Sequence, residues 1–169
     1  NPSALIPYSS IVDAISRHEE TTNYGGGKRA ILGVDVAREG DDASVVITRI
    51  GDYISNIREV YGYDSFQVAD TVIEEIRRVG GIYDTVNVDS IGYGAGVVDI
   101  LRQRKVNVND INVSRKASKP LEYLNQRAEF YFRVRDWFTS NHAIIPDHEK
   151  LKRELLDIHV TFPNGRVQI

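Results

Sequence analysis

Two aspartates each follow a short apolar run that has the length of a buried β-strand. Asp35 follows the run at residues 30–34, and Asp89 follows the run at residues 82–88. Carboxylate oxygens without His or Cys beside them are ligands for Mg²⁺ or Mn²⁺ rather than Zn²⁺. Two such ions about 3.5 to 4 Å apart stabilise the attacking and leaving oxygens of a phosphodiester displacement. Either aspartate alone could serve as a turn or cap residue, but the pair favours a metal site.

The elements around these aspartates determine whether the two carboxylates meet. Hydrophobic patterning predicts strands at residues 30–34, 43–48 and 53–61, joined by short turns into an antiparallel meander. A helix at residues 65–79 then leads into the fourth strand at residues 82–88. This helical crossover makes the fourth strand parallel to the third and the first, so both aspartates reach the same edge of the sheet. If the fourth strand lies beside the first, the carboxylates are about one strand spacing, 4.8 Å, apart.

The rest of the chain completes an α/β class with a mixed five-stranded sheet. A helix at residues 94–104 and a fifth strand at residues 106–113 follow the second aspartate. Two more helices are predicted at residues 121–140 and 147–156. Asn164-Gly165 is a strong turn signal, so we expect the chain to finish in a C-terminal β-hairpin.

The first part of the chain has a different character. A helical pattern begins at Ser10 and ends by Glu20, and the glycine-rich stretch at residues 21–28 is typical of a flexible linker. We therefore expect residues 1–28 to form an N-terminal helix and linker, and residues 29–169 to form the main domain. Because methionine is absent, the initiator included, we expect the chain to be an excerpt from a longer protein.

Composition excludes several classes of protein. Of the 169 residues, 41% are hydrophobic and 27% are charged, which is typical of a globular domain. The lack of cysteine excludes disulfide frameworks, cysteine nucleophiles and cysteine-ligated zinc. No apolar run approaches the roughly 18 residues that a membrane span needs. The net charge of −3 argues against a general polyanion binder, although a local basic surface is compatible with it.

Further residues flank the predicted metal site. Asp41 and Asp42 lie on the turn after the first strand, where either can add a metal ligand or be only a turn residue. Gly92, Gly94 and Gly96 open the helix that follows the fourth strand. Their spacing differs from that of a dinucleotide-binding loop, so we expect them to let the backbone pass close to DNA or metal, or to form a tight turn.

One stretch is clearly basic. Residues 102–119 contain six Lys or Arg against one Asp. Such a run is by default a solvated face, and the alternative is contact with the phosphates of duplex DNA. The candidates for that contact are Arg115, Lys116, Lys119 and, from the following helix, Arg127. The tyrosines recur at strand or core spacing, which does not indicate stacking on bases.

Three blocks of residues resemble one known family. The first block is GVDVA at residues 33–37 with GDDAS at residues 40–44, and the second is VDSIGYGAGV at residues 88–97. The third is NQRAE at residues 125–129, followed by IIPD at residues 144–147. In their order and spacing these blocks resemble the nuclease domain of the large terminase subunit of tailed bacteriophages.

The resemblance implies a ribonuclease-H-like fold and an endonuclease that cuts concatemeric viral double-stranded DNA with two Mg²⁺ or Mn²⁺ ions. It implies Asp35 and Asp89 as catalytic metal ligands, with Asp42 as a supplementary one. In this family a third essential carboxylate lies beyond the terminal hairpin, so we expect it beyond Ile169. The resemblance also implies an upstream ATPase motor domain, a portal and a small terminase subunit as partners, and the bacterial host cytoplasm as the location.

Two alternatives from other classes stay open. The strand, aspartate and hairpin at the start of the sheet are also found in half-domains of the actin and sugar-kinase type, which predicts ATP binding. That class needs a glycine-rich phosphate turn where residues 38–42 carry charge. The other alternative is a docking module without catalytic activity, which predicts that divalent metal does not stabilise the fold.

Overall fold

The protein is described by a computed structural model that covers residues 3–38, 40 and 42–169. The chain forms two compact units. One unit is Asn23–Asn112, and the other contains the chain up to Thr22 together with Val113–Ile169. In the described part of the chain, no helix is both long enough and apolar enough to cross a membrane.

The five strands lie in the middle of the chain, where three consecutive strands are followed by an alternation of helices and strands, and helices predominate towards its two ends. In chain order the elements are α1 (Tyr8–Glu20), β1 (Ala30–Asp35), β2 (Ala43–Ile50), β3 (Tyr53–Tyr61), α2 (Ser65–Arg78), β4 (Tyr83–Asp89), α3 (Gly94–Gln103), β5 (Val108–Ile111), α4 (Gln126–Thr139), α5 (Glu149–Leu156) and a 3₁₀ turn at Pro163–Gly165.

The unit formed by Asn23–Asn112 is built on a mixed five-stranded sheet with the order β3-β2-β1-β4-β5. The β1–β2 and β2–β3 pairs are antiparallel, whereas the β1–β4 and β4–β5 pairs are parallel. The predicted meander, the parallel crossover and the ribonuclease-H-like sheet are therefore confirmed. The sheet also places β4 beside β1, which the connectivity alone left open.

The core of this unit lies on one face of the sheet. Leu32 and Val34 of β1 are buried together with Val86 and Val88 of β4, and they form one cluster with apolar residues of α2 and α3. Burying one such side chain fully stabilises the fold by about 1.5 to 3 kcal/mol. Because side chains alternate along a strand, Asp35 and Asp89 are directed to the opposite face.

Helix α2 begins and is anchored through polar side chains. Asp64 accepts a hydrogen bond from Gln67 N at 2.8 Å, and the Gln67 side chain returns one to Asp64 N, which completes a capping box. Further along the helix, the carboxylate of Glu75 is only 2% exposed. It accepts hydrogen bonds from Thr48 Oγ1 at 2.9 Å and from Asn56 Nδ2 at 3.0 Å, so it joins α2 to strands β2 and β3.

The second unit is mainly helical. Helix α1 buries Ile11, Ala14 and Ile15, and it packs against α4 and α5. The side chain of Arg17 donates from Nε to the carbonyl of Ala143 at 2.8 Å. Helix α1 is thus a packed element of this unit. The expectation that residues 1–28 are an appendage to a domain at residues 29–169 stays a prediction.

Several boundaries differ from the sequence prediction. Helix α1 begins at Tyr8, directly after Pro7, rather than at Ser10. Helix α4 begins at Gln126 rather than at residue 121, because Asn125 caps it by accepting a hydrogen bond from Ala128 N at 3.0 Å. Strand β5 is limited to Val108–Ile111 rather than residues 106–113.

The C-terminal hairpin forms only at its turn. Asn164 and Gly165 adopt left-handed φ values of 53° and 74°, as the predicted turn requires. The arms meet at an antiparallel bridge between Thr161 and Gln168. They do not extend into a ladder in the described chain, because Val167 pairs its backbone with residues 122–124 instead.

Candidate metal centre

Asp35 and Asp89 stand side by side at the carboxyl edge of the sheet. Val34 pairs with Val88 in the parallel β1–β4 ladder, and the two aspartates are the next residues in that register. Asp35 is exposed and Asp89 is half-buried. The strand spacing separates their backbones by about 4.8 Å. The predicted pairing of the two carboxylates is therefore what the sheet produces.

The backbone that follows Asp89 fixes the position of its carboxylate. Its Oδ1 accepts a hydrogen bond from Ile91 N at 3.1 Å, and Ser90 N donates to the carbonyl of Ile111 at 2.9 Å. The first hydrogen bond is an Asx turn, so Asp89 does serve as a turn residue. That role occupies one carboxylate oxygen with a neutral donor, and the second oxygen can still coordinate a cation.

Gly94 brings the first turn of α3 directly onto this strand end. A Cβ atom at position 94 would lie 1.7 Å from the carbonyl oxygen of Asp89, a distance that no side chain tolerates. By contrast, position 92 needs glycine because its backbone has a left-handed φ of 74°, which other residues rarely adopt. Gly94 thus lets the backbone pass close to the Asp89 carbonyl of the same chain. The predicted approach of these glycines to DNA or metal stays a prediction.

The turn after Asp35 is held by a buried hydroxyl. Ser44, which is 3% exposed, accepts a hydrogen bond at Oγ from Ala37 N at 3.0 Å. Asp42 lies on this turn and is exposed, and Asp41 lies outside the described residues. Within the described chain, no three carboxylate or imidazole groups converge closely enough to form a complete metal cage. The roles of Asp41 and Asp42 as additional ligands stay predictions.

The donor set at this edge fits a hard divalent cation. Two carboxylates about one strand spacing apart repel each other by about 1 kcal/mol in bulk water and about 3.5 kcal/mol at an effective dielectric constant of 20. A bound cation turns that repulsion into attraction, and oxygen ligands suit Mg²⁺ or Mn²⁺. The partly exposed site also leaves room for water ligands, which Mg²⁺ retains.

A polar pair lies behind the aspartates on the same face of the sheet. Asn87 is two residues before Asp89, and its Oδ1 accepts a hydrogen bond from Asn109 Nδ2 on β5 at 3.0 Å. Because residues two apart on a strand share a face, this pair joins β4 to β5 directly behind the site. The sequence prediction missed this pair, although asparagine inside two predicted strands was a usable signal, since strands are depleted in asparagine.

The predicted DNA-contacting residues belong to the other unit. Arg115, Lys116 and Lys119 are exposed on the loop after Val113, and Arg127 is exposed on α4. The Arg127 guanidinium lies 4.9 Å from the centre of the Tyr131 ring, which is a cation–π contact. The exposed positions are compatible with both the solvated-face and the phosphate-contact interpretations.

Glu129 holds this basic loop in place. Its carboxylate is 5% exposed and accepts hydrogen bonds from Ser118 N, at 2.7 Å, and from Ser118 Oγ. The hydrogen bond from the Ser118 hydroxyl lowers the pKa of Glu129, and the Ser118 amide and the charges of Arg133 and Lys119 lower it further. Sequence reasoning gave Glu129 no role, because a glutamate in a helix is usually exposed.

Comparisons with known proteins address the fold. No protein-family model and no curated protein matches the chain. Among solved structures, the nuclease domain of the large terminase subunit gp2 of bacterial virus Sf6 is 20% identical, with a TM-score of 0.79 over 98% of this chain and 86% of that chain. The fold of this chain is that of a phage terminase nuclease domain.

Two further structures with this terminase-nuclease fold contain divalent metal. A mutant of the Sf6 gp2 nuclease domain with manganese and beta-thujaplicinol is 20% identical, with a TM-score of 0.78 over 98% of this chain and 86% of that chain. The large terminase nuclease from thermophilic phage G20c with bound magnesium is 16% identical, with a TM-score of 0.69 over 99% of this chain and 87% of that chain. At these identities the likeness establishes the shared fold.

Proposed function

We propose that this chain is the nuclease domain of a viral DNA-packaging terminase, and that it cuts concatemeric double-stranded DNA with divalent metal. The observation that carries the proposal is the pair formed by Asp35 and Asp89 at the ends of adjacent parallel strands. The terminase-nuclease fold, with magnesium or manganese in related structures, supports it. The proposal includes a motor ATPase domain in the same polypeptide, a portal and a small terminase subunit as partners, and the host cytoplasm as the location.

The residues of this chain have defined tasks in such a reaction. Asp35 and Asp89 provide the anionic oxygens that hold Mg²⁺ or Mn²⁺ next to a scissile phosphate. When bound, two such ions stabilise the attacking and leaving oxygens of the phosphodiester. The Asx turn and Gly94 keep the Asp89 carboxylate at a fixed position, and fixed geometry is a large part of catalysis. The loop with Arg115 and Lys116 contacts the DNA backbone without reading its sequence.

Cleavage of supercoiled plasmid DNA in Mn²⁺ tests the proposal. We expect Asp35→Asn and Asp89→Asn each to lower the rate of nicking by about 100-fold or more, because a metal ligand supplies several kcal/mol of transition-state stabilisation. The matched control is Asp99→Asn, since Asp99 is exposed on α3. We expect that variant to stay within about twofold of the unmodified chain. Nicking by Asp35→Asn and Asp89→Asn at the same measurable rate as the unmodified chain would contradict the assignment of the aspartate pair.

Thermal unfolding separates this function from the alternatives without depending on cleavage. At a Mn²⁺ concentration of about 100 times the dissociation constant, binding stabilises the folded state by about 2.7 kcal/mol, which corresponds to about 5 to 10 °C in Tm. We expect Asp35→Asn to abolish that shift. No shift in the unmodified chain would favour a docking module. A shift that needs ATP in addition to the metal would favour a phosphotransferase of the actin and sugar-kinase type.

A further inference from the structure

A small cavity lies next to the candidate metal centre and has no part in the chemistry described above. It has a volume of about 200 Å³, and the segments that follow β1, β3 and β4 form its walls, including Arg38, Tyr63, Ser65 and Tyr93. At about 30 Å³ per water molecule, it offers the space of six or seven waters. That space is below the range of about 300 to 1,000 Å³ that is usual for small-molecule sites. It suits a single nucleobase or a phosphate group rather than a whole cofactor.

The cavity occupies the same edge of the sheet as the aspartate pair. Arg38 is three residues after Asp35, and Tyr93 is four residues after Asp89. Strand β3 is antiparallel to β2 and therefore runs parallel to β1, so Tyr63, two residues beyond its end, reaches this edge as well. Val36, which also lines the cavity, directly follows Asp35 in the chain.

The side chain of Tyr93 is not needed by the fold. It is 52% exposed, and although Tyr93 is the N-cap residue of α3, its side chain makes no capping hydrogen bond. N-cap positions prefer Ser, Thr, Asp or Asn, so the local helix does not explain a tyrosine here. Two other large apolar side chains in the adjoining segments, Phe66 and Ile91, are 61% and 51% exposed. Exposed aromatic faces beside a backbone-binding site are the usual means of holding unpaired bases.

The lining of the cavity carries one positive and one negative side chain, those of Arg38 and Asp64. Arg38 is exposed and lines the cavity. The carboxylate of Asp64, which also lines the cavity, accepts a hydrogen bond from Gln67 N and so serves the start of α2. Ser65, which also lines the cavity, adds a hydroxyl donor. An aromatic ring, a guanidinium and a hydroxyl together match the base and the phosphate of one nucleotide.

We propose that this cavity is a nucleotide subsite that takes one unpaired nucleotide of the DNA strand beside the scissile phosphate. The base stacks on the Tyr93 ring, and the adjoining phosphate pairs with the Arg38 guanidinium. The subsite rests on the proposed function, since it needs DNA at the neighbouring aspartate pair. Its consequence is a preference for DNA that is locally unpaired at the cleavage position, because a base within a duplex cannot reach the ring.

Equilibrium binding without divalent metal tests the subsite independently of cleavage. The two probes are a short duplex with one bulged fluorescent adenine analogue and the same duplex fully paired. We expect Tyr93→Ala to weaken binding of the bulged duplex by about 5- to 150-fold, the range for loss of one stacked base, and to leave the paired duplex within about twofold. We expect Tyr93→Phe to bind both probes like the unmodified chain, because the ring is retained.

Salt dependence tests the contact with Arg38. We expect Arg38→Gln to lower the slope of log affinity against log salt by about 0.7 to 0.9 for the bulged duplex only, as one lost phosphate contact does. The matched controls are Arg77→Gln and Tyr8→Ala, since both side chains are exposed and neither lines the cavity. We expect both controls to bind like the unmodified chain, with melting curves confirming that every variant is folded.

Two results would contradict the proposal of a nucleotide subsite. One is equal affinity of the unmodified chain for the bulged and the paired duplex. The other is a loss of binding in Tyr93→Ala that is the same for both probes, or that Tyr93→Phe reproduces. Neither result bears on the proposed nuclease function, which is tested separately by cleavage in Mn²⁺. Conversely, an Asp35→Asn variant that nicks DNA like the unmodified chain and keeps the preference for the bulged duplex would contradict the nuclease proposal and leave the subsite in place.

Discussion

Replacing Gly94 by alanine is the sharpest test of how α3 positions Asp89. The new Cβ would lie 1.7 Å from the Asp89 carbonyl oxygen, whereas real Cβ contacts are essentially never shorter than 3.0 Å. The strand end and the first turn of the helix must therefore separate by at least 1.3 Å, the difference of those two distances. Because the obstructing atom is backbone rather than a flexible side chain, the separation moves Asp89 itself.

Both the activity and the stability of Gly94→Ala follow from that displacement. A misplacement of about 1 Å can cost about 100-fold in rate, so we expect plasmid nicking in Mn²⁺ to fall by about that factor. Overpacking costs about 1 to 3 kcal/mol, and alanine in a helix offsets about 0.5 to 1 kcal/mol of it. We therefore expect Gly94→Ala to lose up to about 2.5 kcal/mol of stability, which lowers Tm by at most about 10 °C.

The control for this variant uses the same substitution two residues further on. A Cβ at Gly96 would lie 3.1 Å from Ser65 Oγ, and that hydroxyl can rotate away. We expect Gly96→Ala to keep its rate of nicking and its metal-induced rise in Tm. If Gly94→Ala matched Gly96→Ala in both measurements, the reasoning about the close approach would be wrong.

Three further variants probe the polar contacts of the fold and the basic loop. We expect Glu75→Gln to lower the free energy of unfolding in urea by about 1 to 3 kcal/mol, because it weakens charge-assisted hydrogen bonds inside the protein, whereas Glu74→Gln at an exposed ion pair should cost less than about 1 kcal/mol. The folded-state pKa of Glu129 is lowered, so its contribution to stability is fully present above its ordinary value of 4.5 and disappears as the pH falls through the lower folded-state value. Glu129→Gln should therefore melt below the unmodified chain at pH 7, with a difference that narrows once the pH falls below 4.5; a constant difference would refute the ionic role. We expect Arg115→Gln to reduce the salt slope of duplex DNA binding by about 0.9, while Arg153→Gln on α5 leaves the slope unchanged.

The parts of the fold that were predicted from the sequence depend on local patterns and on connectivity. The apolar runs before Asp35 and Asp89 are long enough to identify buried strands. The rules for crossover connections then bring the ends of those strands to one edge. The position of β4 beside β1, which makes the two carboxylates neighbours, needed the sheet itself.

The parts that were not predicted depend on contacts between residues distant in sequence. Val167 pairs with the loop before α4 instead of extending the hairpin, and no local propensity encodes that choice. Asn125 ends a turn and caps α4, so the apolar pattern that begins at residue 121 does not continue as a helix. Tyr93 is a further example of a residue that was not predicted. The strand or core spacing of the tyrosines suggested a buried ring, whereas the structure leaves the Tyr93 ring exposed.

The central position of β1 in the sheet determines how the metal centre is lost on heating. Strand β1 is hydrogen-bonded on both sides, to β2 and to β4, while β3 and β5 lie at the outside of this sheet. Outer strands open in local fluctuations, whereas a central strand exchanges its amide hydrogens only when the whole cooperative unit unfolds. The amides of β1 should therefore be among the slowest to exchange, and fraying of the outer strands should leave Asp35 and Asp89 together. Metal binding at the proposed site should then persist up to the global unfolding transition and disappear with it.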